Sequence, residues 1–247
     1  MRNFFLGDNE VLGDLVTVTG ELYRHMARVL RLKEGSEVGL TEEGGRRLRG
    51  VIEEVGAKSL TVRVTGEETA PEEEKGLRVT LYQGMPKGEK LDLILQKCTE
   101  LGISEVVTFE GERSVVKLSG ERSASRLGRY QKIVQEAARQ SGRLSAPAVS
   151  IGGTLEQVVR EADQTLKILL WEDELKNGLR AVLESHSQAP ESVAIVVGPE
   201  GGLSAREVER AIQSGFTPVT LGRRILRTET AGLAILSILQ FYWGDLG

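Results

Sequence analysis

Two glycine-rich segments near the C-terminus, AIVVGPEGGLSAREVE (Ala194 to Glu209) and TLGRRILRTETAGLAILSILQ (Thr220 to Gln240), constrain the fold more than any other feature. Each reads as a strand that runs into a tight turn and then opens a helix. The first starts with the apolar run Ala194 to Val197 and breaks at Gly198-Pro199. Ser204 and Glu207 then have the S-x-x-E spacing of a capping box, in which hydroxyl and carboxylate satisfy orphan amides at a helix start. The second passes from Val219 to Leu221 through Gly222 into a loop with Arg223, Arg224 and Arg227, followed by an apolar helix. Two such turns expose backbone amides and carbonyls at the carboxyl edge of a sheet, where open α/β sheets bind ligands.

The rest of the chain divides near residue 72. Before it, short β-like runs (Val11 to Val18, Glu37 to Leu40, Arg47 to Glu53, Ser59 to Val64) recur at the spacing of a small barrel, interrupted by one helix, Glu21 to Leu30. Gly66 to Gly76, with Pro71 and three consecutive glutamates, has linker composition. Afterwards strands and helices alternate: strand Leu77 to Gln83, helix Gly88 to Leu101, strand Glu105 to Phe109, helix Arg122 to Ser141, strand Thr165 to Trp171, then the two glycine-rich units. That alternation predicts a mostly parallel sheet covered by helices. On the helix after Lys87, Leu91, Ile94, Leu95, Cys98 and Leu101 share one face, so Cys98 is expected in the core rather than as a nucleophile.

Residue types exclude several chemistries. Lys58-Ser59 follows Ala57 rather than glycine, so no P-loop is present, and no G-x-G-x-x-G opens a helix after a strand. With only His25 and His186, no H-E-x-x-H and a single cysteine, neither a zinc site nor an internal disulfide is expected. No G-x-S-x-G elbow occurs. What remains is a site of backbone, arginines and a few carboxylates, suited to a reaction whose cofactor carries the chemistry. The longest apolar stretches, such as Leu233 to Leu239, are too short to span a membrane, and the N-terminus has no signal-peptide pattern, so a cytoplasmic protein is expected.

The formal net charge of -4 predicts no bulk attraction to nucleic acid, but the charge is unevenly spread. From Gly111 to Arg143 eight basic residues (Arg113, Lys117, Arg122, Arg126, Arg129, Lys132, Arg139, Arg143) face three acidic ones (Glu112, Glu121, Glu136). Such clustering favours a phosphate-facing surface over ordinary solvated charge.

GPEGG followed by LGRRILRTETA resembles the cofactor-binding signature of the RsmE family, the 16S ribosomal RNA uridine-N3 methyltransferases of the knotted SPOUT superfamily. MRNFFL, HMARVLRLKEGSEV, LQKCTELGI and RYQKIVQEAARQSGR extend the resemblance along most of the chain. It implies an α/β fold: a small PUA-like β-barrel RNA-binding domain (1–72) before a SPOUT methyltransferase domain (73–247) with a trefoil knot, acting as a homodimer. It implies S-adenosyl-L-methionine as cofactor, held by Leu170, Trp171, Gly198, Pro199, Gly201, Leu221, Gly222, Ile225, Leu226, Thr230 and Ala231. It also implies a 16S rRNA substrate, within the small ribosomal subunit. One departure stands out: Arg24-His25 replaces an expected His-His pair.

Uracil N3 is a poor nucleophile until its proton leaves, and the resulting imide spreads charge onto the flanking carbonyl oxygens. Arg227 is the expected catalytic cation, the alternative being a salt bridge to Glu200 or Glu229 that only fixes the loop. Glu200 is the carboxylate expected to orient the site or accept a proton. Arg2, Arg24, His25, Arg28, Arg31, Arg113, Arg139 and Arg143 are the expected RNA contacts, in a groove shared by the two domains. Two other readings remain open: a non-catalytic RNA-binding assembly factor, and a nucleotide-binding enzyme using the same glycine turns.

Overall fold

The computed structural model describes residues 2–7, 9, 11–42, 46–68, 76–114, 122–143 and 145–246. It groups into two compact units, Met1–Lys75 with Ala138–Ser145, and Gly76–Ala137 with Ala146–Gly247. The expected boundary at 72/73 lies outside the described residues.

The first unit is one curled six-stranded sheet. Its strands are β1 (Arg2–Phe5), β2 (Val11–Leu12), β3 (Leu15–Val18), β4 (Glu37–Thr41), β5 (Arg47–Val55) and β6 (Leu60–Glu68), in the order β1-β4-β5-β6-β3-β2. Only β1 and β4 pair in parallel. Alternate residues (Val16, Val18, Val38, Leu40, Leu60, Val62) point into one core with Phe4 and Met26, the period-2 pattern of a sheet with one buried face. The edge strands β1 and β2 share no ladder among the described residues, so the expected barrel is an open one. The run Val11 to Val18 is not one strand but a hairpin: Gly13 takes φ +63° and folds β2 back onto β3. Strand β6 also extends to Glu68, into the segment whose composition reads as linker.

The helix expected at Glu21 to Leu30 begins as α1 (Gly20–Tyr23) and widens into a π-helix over Arg24–Val29. The amide of Leu30 donates to the carbonyl of His25 at 2.9 Å. Leu22, Tyr23 and Met26 anchor this helix in the core, and the Tyr23 hydroxyl donates to the carbonyl of Gly56 at 2.8 Å.

The second unit alternates strictly: β7 (Arg78–Gly84), α2 (Lys90–Glu100), β8 (Glu105–Glu110), α3 (Arg122–Ser141), β9 (Ala148–Thr154), α4 (Leu155–Glu161), β10 (Leu166–Leu170), α5 (Leu179–Glu184), β11 (Ser192–Val197), α6 (Ala205–Gln213), β12 (Thr217–Val219) and α7 (Thr228–Trp243). Sequence reading misses β1, β9, α4 and α5. All six strands are parallel, in the order β12-β10-β11-β7-β8-β9.

Apolar strands are needed because both faces are covered. On β11, Val193, Ile195 and Val197 pack on the α2/α7 side, while Ala194 and Val196 pack on the α4/α6 side. The stripe Leu91, Ile94, Leu95 and Cys98 is at most 1% exposed, and each fully buried Leu or Ile contributes about 1.5–3 kcal/mol. Burial pushes the Cys98 thiol up to about 12, so it is a core residue as expected. Among the described residues no helix is long and apolar enough to cross a membrane.

The strand order fixes where a ligand can sit. From β7 the chain builds outward through β8 to β9, then crosses back so that β11 lies beside β7 and β12 forms the far edge. From that edge it returns to the middle of the sheet, where α7 packs on α2, β7 and β11. The carboxyl ends of β7 and β11, where the winding reverses, are the crevice of an open α/β sheet.

Candidate functional site

Three loops meet at the carboxyl edge of the sheet, on the β10/β12 side of that switch point. They follow β10 (Leu170 to Leu175), β11 (Val197 to Gly202) and β12 (Val219 to Thr228), and they surround a cavity of 570 Å³ in the second unit. Ser204 and Glu207 form the anticipated capping box: the amide of Glu207 donates to Ser204 Oγ at 3.1 Å, and the amide of Ser204 donates to Glu207 Oε2 at 2.8 Å. Glu207 Oε1 also accepts the amide of Glu112 at 2.9 Å, so this buried carboxylate is satisfied on both oxygens. A rigid helix start therefore fixes one cavity wall.

The start of α7 is fixed by a buried relay. The Thr228 hydroxyl donates to the carbonyl of Gly198 at 2.6 Å and accepts from Gln83 Nε2 at 2.9 Å. Three strand-end segments far apart in sequence are thereby tied together.

Leu170, Trp171, Gly198, Pro199, Leu221, Gly222, Ile225, Leu226 and Ala231 all line the cavity, together with Glu200 and Arg227. The backbone groups of Leu221, Ile225 and Leu226 take no hydrogen-bond partner from the chain among the described residues. Free amides and carbonyls in a concave wall suit a ligand with a hydrogen-bonding edge.

Two expected cofactor residues lie outside the cavity lining. Gly201 is exposed and outside the lining; its carbonyl accepts from Arg113 Nη1 at 3.2 Å, and a Cβ there would meet Arg113 rather than a ligand. Gly202 is the glycine that faces the cavity: it takes φ +68°, and a Cβ on it would run into Glu172 Oε1. Thr230 points outward from the first turn of α7 and does not line the cavity. Ile225, expected as an apolar wall, is 84% exposed at the mouth.

The charged residues do not form the salt bridge that was the alternative for Arg227. Arg227 caps α7 through its backbone and is exposed, and its guanidinium makes no ion pair among the described residues. Glu200 and Glu229 instead share Lys90, at 2.9 Å and 3.7 Å. Glu200 also accepts the amide of Lys87 at 3.0 Å. Burial opposes its charge, but the Lys90 ammonium and the backbone amides outweigh burial and hold its carboxyl below the usual range. A carboxylate so held is a weak proton acceptor. Its hydrogen bond to Glu200 raises the Lys90 ammonium above its ordinary value, against burial and the repulsion of Arg227. Lys90 was missed because its partners lie 110 and 139 positions further along the chain; its place at a helix start, beside the motif loops only in space, gives no local signal.

Arg2, Arg24, Arg28 and Arg31 are exposed on the first unit. His25 is half-buried, stacked edge-on against Phe4 with ring centroids 6.3 Å apart. Arg139 and Arg143 are half-buried, and their segment groups with the first unit, not the second. Within the basic stretch, Arg129 is engaged by Asp92 at 2.8 Å, Lys117 and Glu121 lie outside the described residues, and the Arg122 side chain is not described.

Comparison with known proteins agrees with this arrangement. The family model of an RNA methyltransferase domain matches residues 73–240, and that of an RNA methyltransferase PUA domain matches 18–65. Fold and site thus define a SPOUT-type RNA methyltransferase domain preceded by a PUA-like domain. The ribosomal RNA small subunit methyltransferase E of Bacillus subtilis (strain 168) is 35% identical over 91% of this chain and 89% of its own length. The corresponding enzyme of Neisseria gonorrhoeae, solved bound to S-adenosyl methionine, is 31% identical with a TM-score of 0.83, covering 100% of both chains. A Legionella pneumophila methyltransferase solved with bound SAM is 33% identical with a TM-score of 0.84, covering 99% of this chain and 98% of its own. The chain belongs to the ribosomal RNA small subunit methyltransferase E family.

Proposed function

We propose that this chain transfers a methyl group from S-adenosylmethionine to N3 of a specific uridine in the 16S rRNA of the small ribosomal subunit. The observation that carries this reading is the convergence of three strand-end loops on one cavity whose wall offers the backbone of Leu221, Ile225 and Leu226, unpartnered among the described residues. These groups would hold the adenine edge, with Leu170, Trp171, Gly198, Pro199, Gly202, Gly222 and Ala231 forming the surrounding walls. The cofactor supplies an electrophilic methyl group on a sulfonium; the chain supplies alignment, which such a displacement needs more than covalent help.

Arg227 stands at the cavity without an ion pair among the described residues, where its charge would stabilise the negative charge that uracil develops as N3 loses its proton. Glu200, kept ionised by Lys90, orients the loop after β7 instead of taking that proton. Arg2, Arg24, Arg28 and Arg31, with Arg139 and Arg143, give the first unit a phosphate-binding role, with Arg113 and His25 holding local structure. A second copy of the chain completes the assembly: Ile238, Phe241 and Tyr242 on α7 are exposed beside Leu179, Leu183 and Leu221. The setting is the cytoplasm, where ribosomal particles are built.

Calorimetric titration with S-adenosylmethionine and with ATP tests the cofactor reading. Saturable binding of the first and none of the second is expected; preference for ATP would replace it with a nucleotide-binding one. Arg227→Lys should lower the single-turnover methylation rate roughly tenfold or more with cofactor affinity little changed. Equal loss of both would make Arg227 a cofactor residue.

A further inference from the structure

Four charged side chains from three separate segments gather beside the cavity: Lys90 at the start of α2, Glu200 in the turn after β11, and Arg227 and Glu229 at the start of α7. Two are anions and two are cations, yet the pairing is lopsided. Lys90 takes both carboxylates and Arg227 takes neither among the described residues. Glu229 Oε2 is buried and has no hydrogen-bond partner among the described residues, so the ammonium at 3.7 Å is the charge that compensates it.

Guanidinium groups pair with carboxylates more readily than ammonium groups do, because the planar fork matches both oxygens. With Lys90 removed, two ionised carboxylates would face the arginines of the same cavity, of which Arg227 is the one whose charge already acts on Lys90. A guanidinium held in such a pair is turned away from the substrate and is already neutralised. A compact point charge on a flexible stem can sit between two carboxylates that approach from different segments, which accounts for a lysine at this position.

We propose that Lys90 is a positioning residue that keeps Arg227 available to the uracil by holding Glu200 and Glu229 away from it. This rests on the assignment of Arg227 to the developing imide charge. Lys90 lines the cavity, and in this proposal it acts through the carboxylates rather than on a reacting atom.

The test is single-turnover methyl transfer to unmodified small-subunit particles, with cofactor affinity measured in parallel by calorimetry. Lys90→Met should slow transfer roughly tenfold, as loss of a transition-state contact does, while the cofactor Kd changes by less than about twofold. Adding Glu200→Gln and Glu229→Gln to Lys90→Met removes the competing anions and should restore most of the rate. Lys90→Arg, which keeps a cation between the carboxylates, should stay within about threefold of wild type. The same comparison can be made with Lys90→Gln if the methionine variant does not fold.

A wild-type rate in Lys90→Met overturns the proposal. So does a triple variant as slow as Lys90→Met when the Glu200→Gln/Glu229→Gln double variant alone keeps most of the wild-type rate. Failure of the underlying reading looks different: Arg227→Lys would transfer at the wild-type rate, or the wild-type chain would transfer no methyl group to the particles.

Discussion

Replacing the Thr228 hydroxyl with a methyl group of the same shape should loosen the cofactor cavity without emptying the core. Thr228 is 7% exposed, and its Oγ1 is the middle of the relay from Gln83 Nε2 to the carbonyl of Gly198. Thr228→Val removes two hydrogen bonds, each worth a net of about 0.5–1.5 kcal/mol, so the loss should be about 1–3 kcal/mol. The cost is uneven. Gln83 Nε2 keeps its bond to the carbonyl of Gly84 at 3.0 Å, whereas the Gly198 carbonyl, on the cavity wall, loses its partner. For a domain of this size each kcal/mol moves Tm by about 2–4 °C, which places the expected fall between about 2 and about 12 °C. Thermal melts with and without S-adenosylmethionine measure both consequences. At a hundredfold excess over Kd the cofactor should stabilise wild type by about 2.7 kcal/mol, but by only about 1.4 kcal/mol a variant whose affinity has dropped tenfold. A Thr228→Val protein whose Tm falls by less than about 1 °C and whose cofactor shift matches wild type would refute the claim that this relay holds the cavity together.

Other substitutions probe the remaining parts of the site. Gly202→Ala should weaken cofactor affinity at least about tenfold with little change in circular dichroism, because a side chain at φ +68° is strained and meets Glu172; calorimetry showing wild-type affinity would remove Gly202 from the wall. Neutralising Arg24 and Arg28 should lower RNA affinity and flatten its log-log salt dependence by about 0.7–0.9 per lost phosphate contact, measured by filter binding across a salt series; an unchanged slope would place the RNA elsewhere. Glu200 has a lowered carboxyl pKa, so its ionised form is favoured by folding. Its contribution is present above the unfolded value of about 4.3 and is lost as pH falls through the folded value. Glu200→Gln should therefore show a flatter acid-side decline in stability than wild type, and identical acid-side profiles would contradict the Lys90 pairing.

Legibility in the sequence followed the range of the forces involved. The Ser204/Glu207 capping box and the apolar stripe of α2 are contacts within one or two turns, and both appear as fixed spacings. The alternation of β7 to β8 and of β10 to β12 is visible because buried parallel strands must be apolar throughout. A capping box at Thr154 and Gln157 marks α4 in the same way and could have been found, as could the strand β9 that precedes it. The hairpin inside Val11 to Val18 is marked by the two-residue Gly13-Asp14 turn between Leu12 and Leu15 and could have been found. The widening of α1 into a π-helix has no periodic signature. At the site, motif membership brought most cavity residues together, but it could not tell Gly201 from Gly202. The difference is the direction of one turn, which depends on Arg113 and Glu172 from other segments. Lys90 was invisible for the same reason: its role exists only once three segments meet.

The most direct test of the account is transfer of a labelled methyl group from S-adenosylmethionine to small ribosomal subunits isolated without the modification, followed by mass spectrometry of the digested 16S rRNA. The account predicts label in a single uridine, at N3, at a stoichiometry approaching about one methyl group per particle, and none on free uridine. Label on another base, on another atom of uracil, or on the large-subunit RNA alone would contradict it.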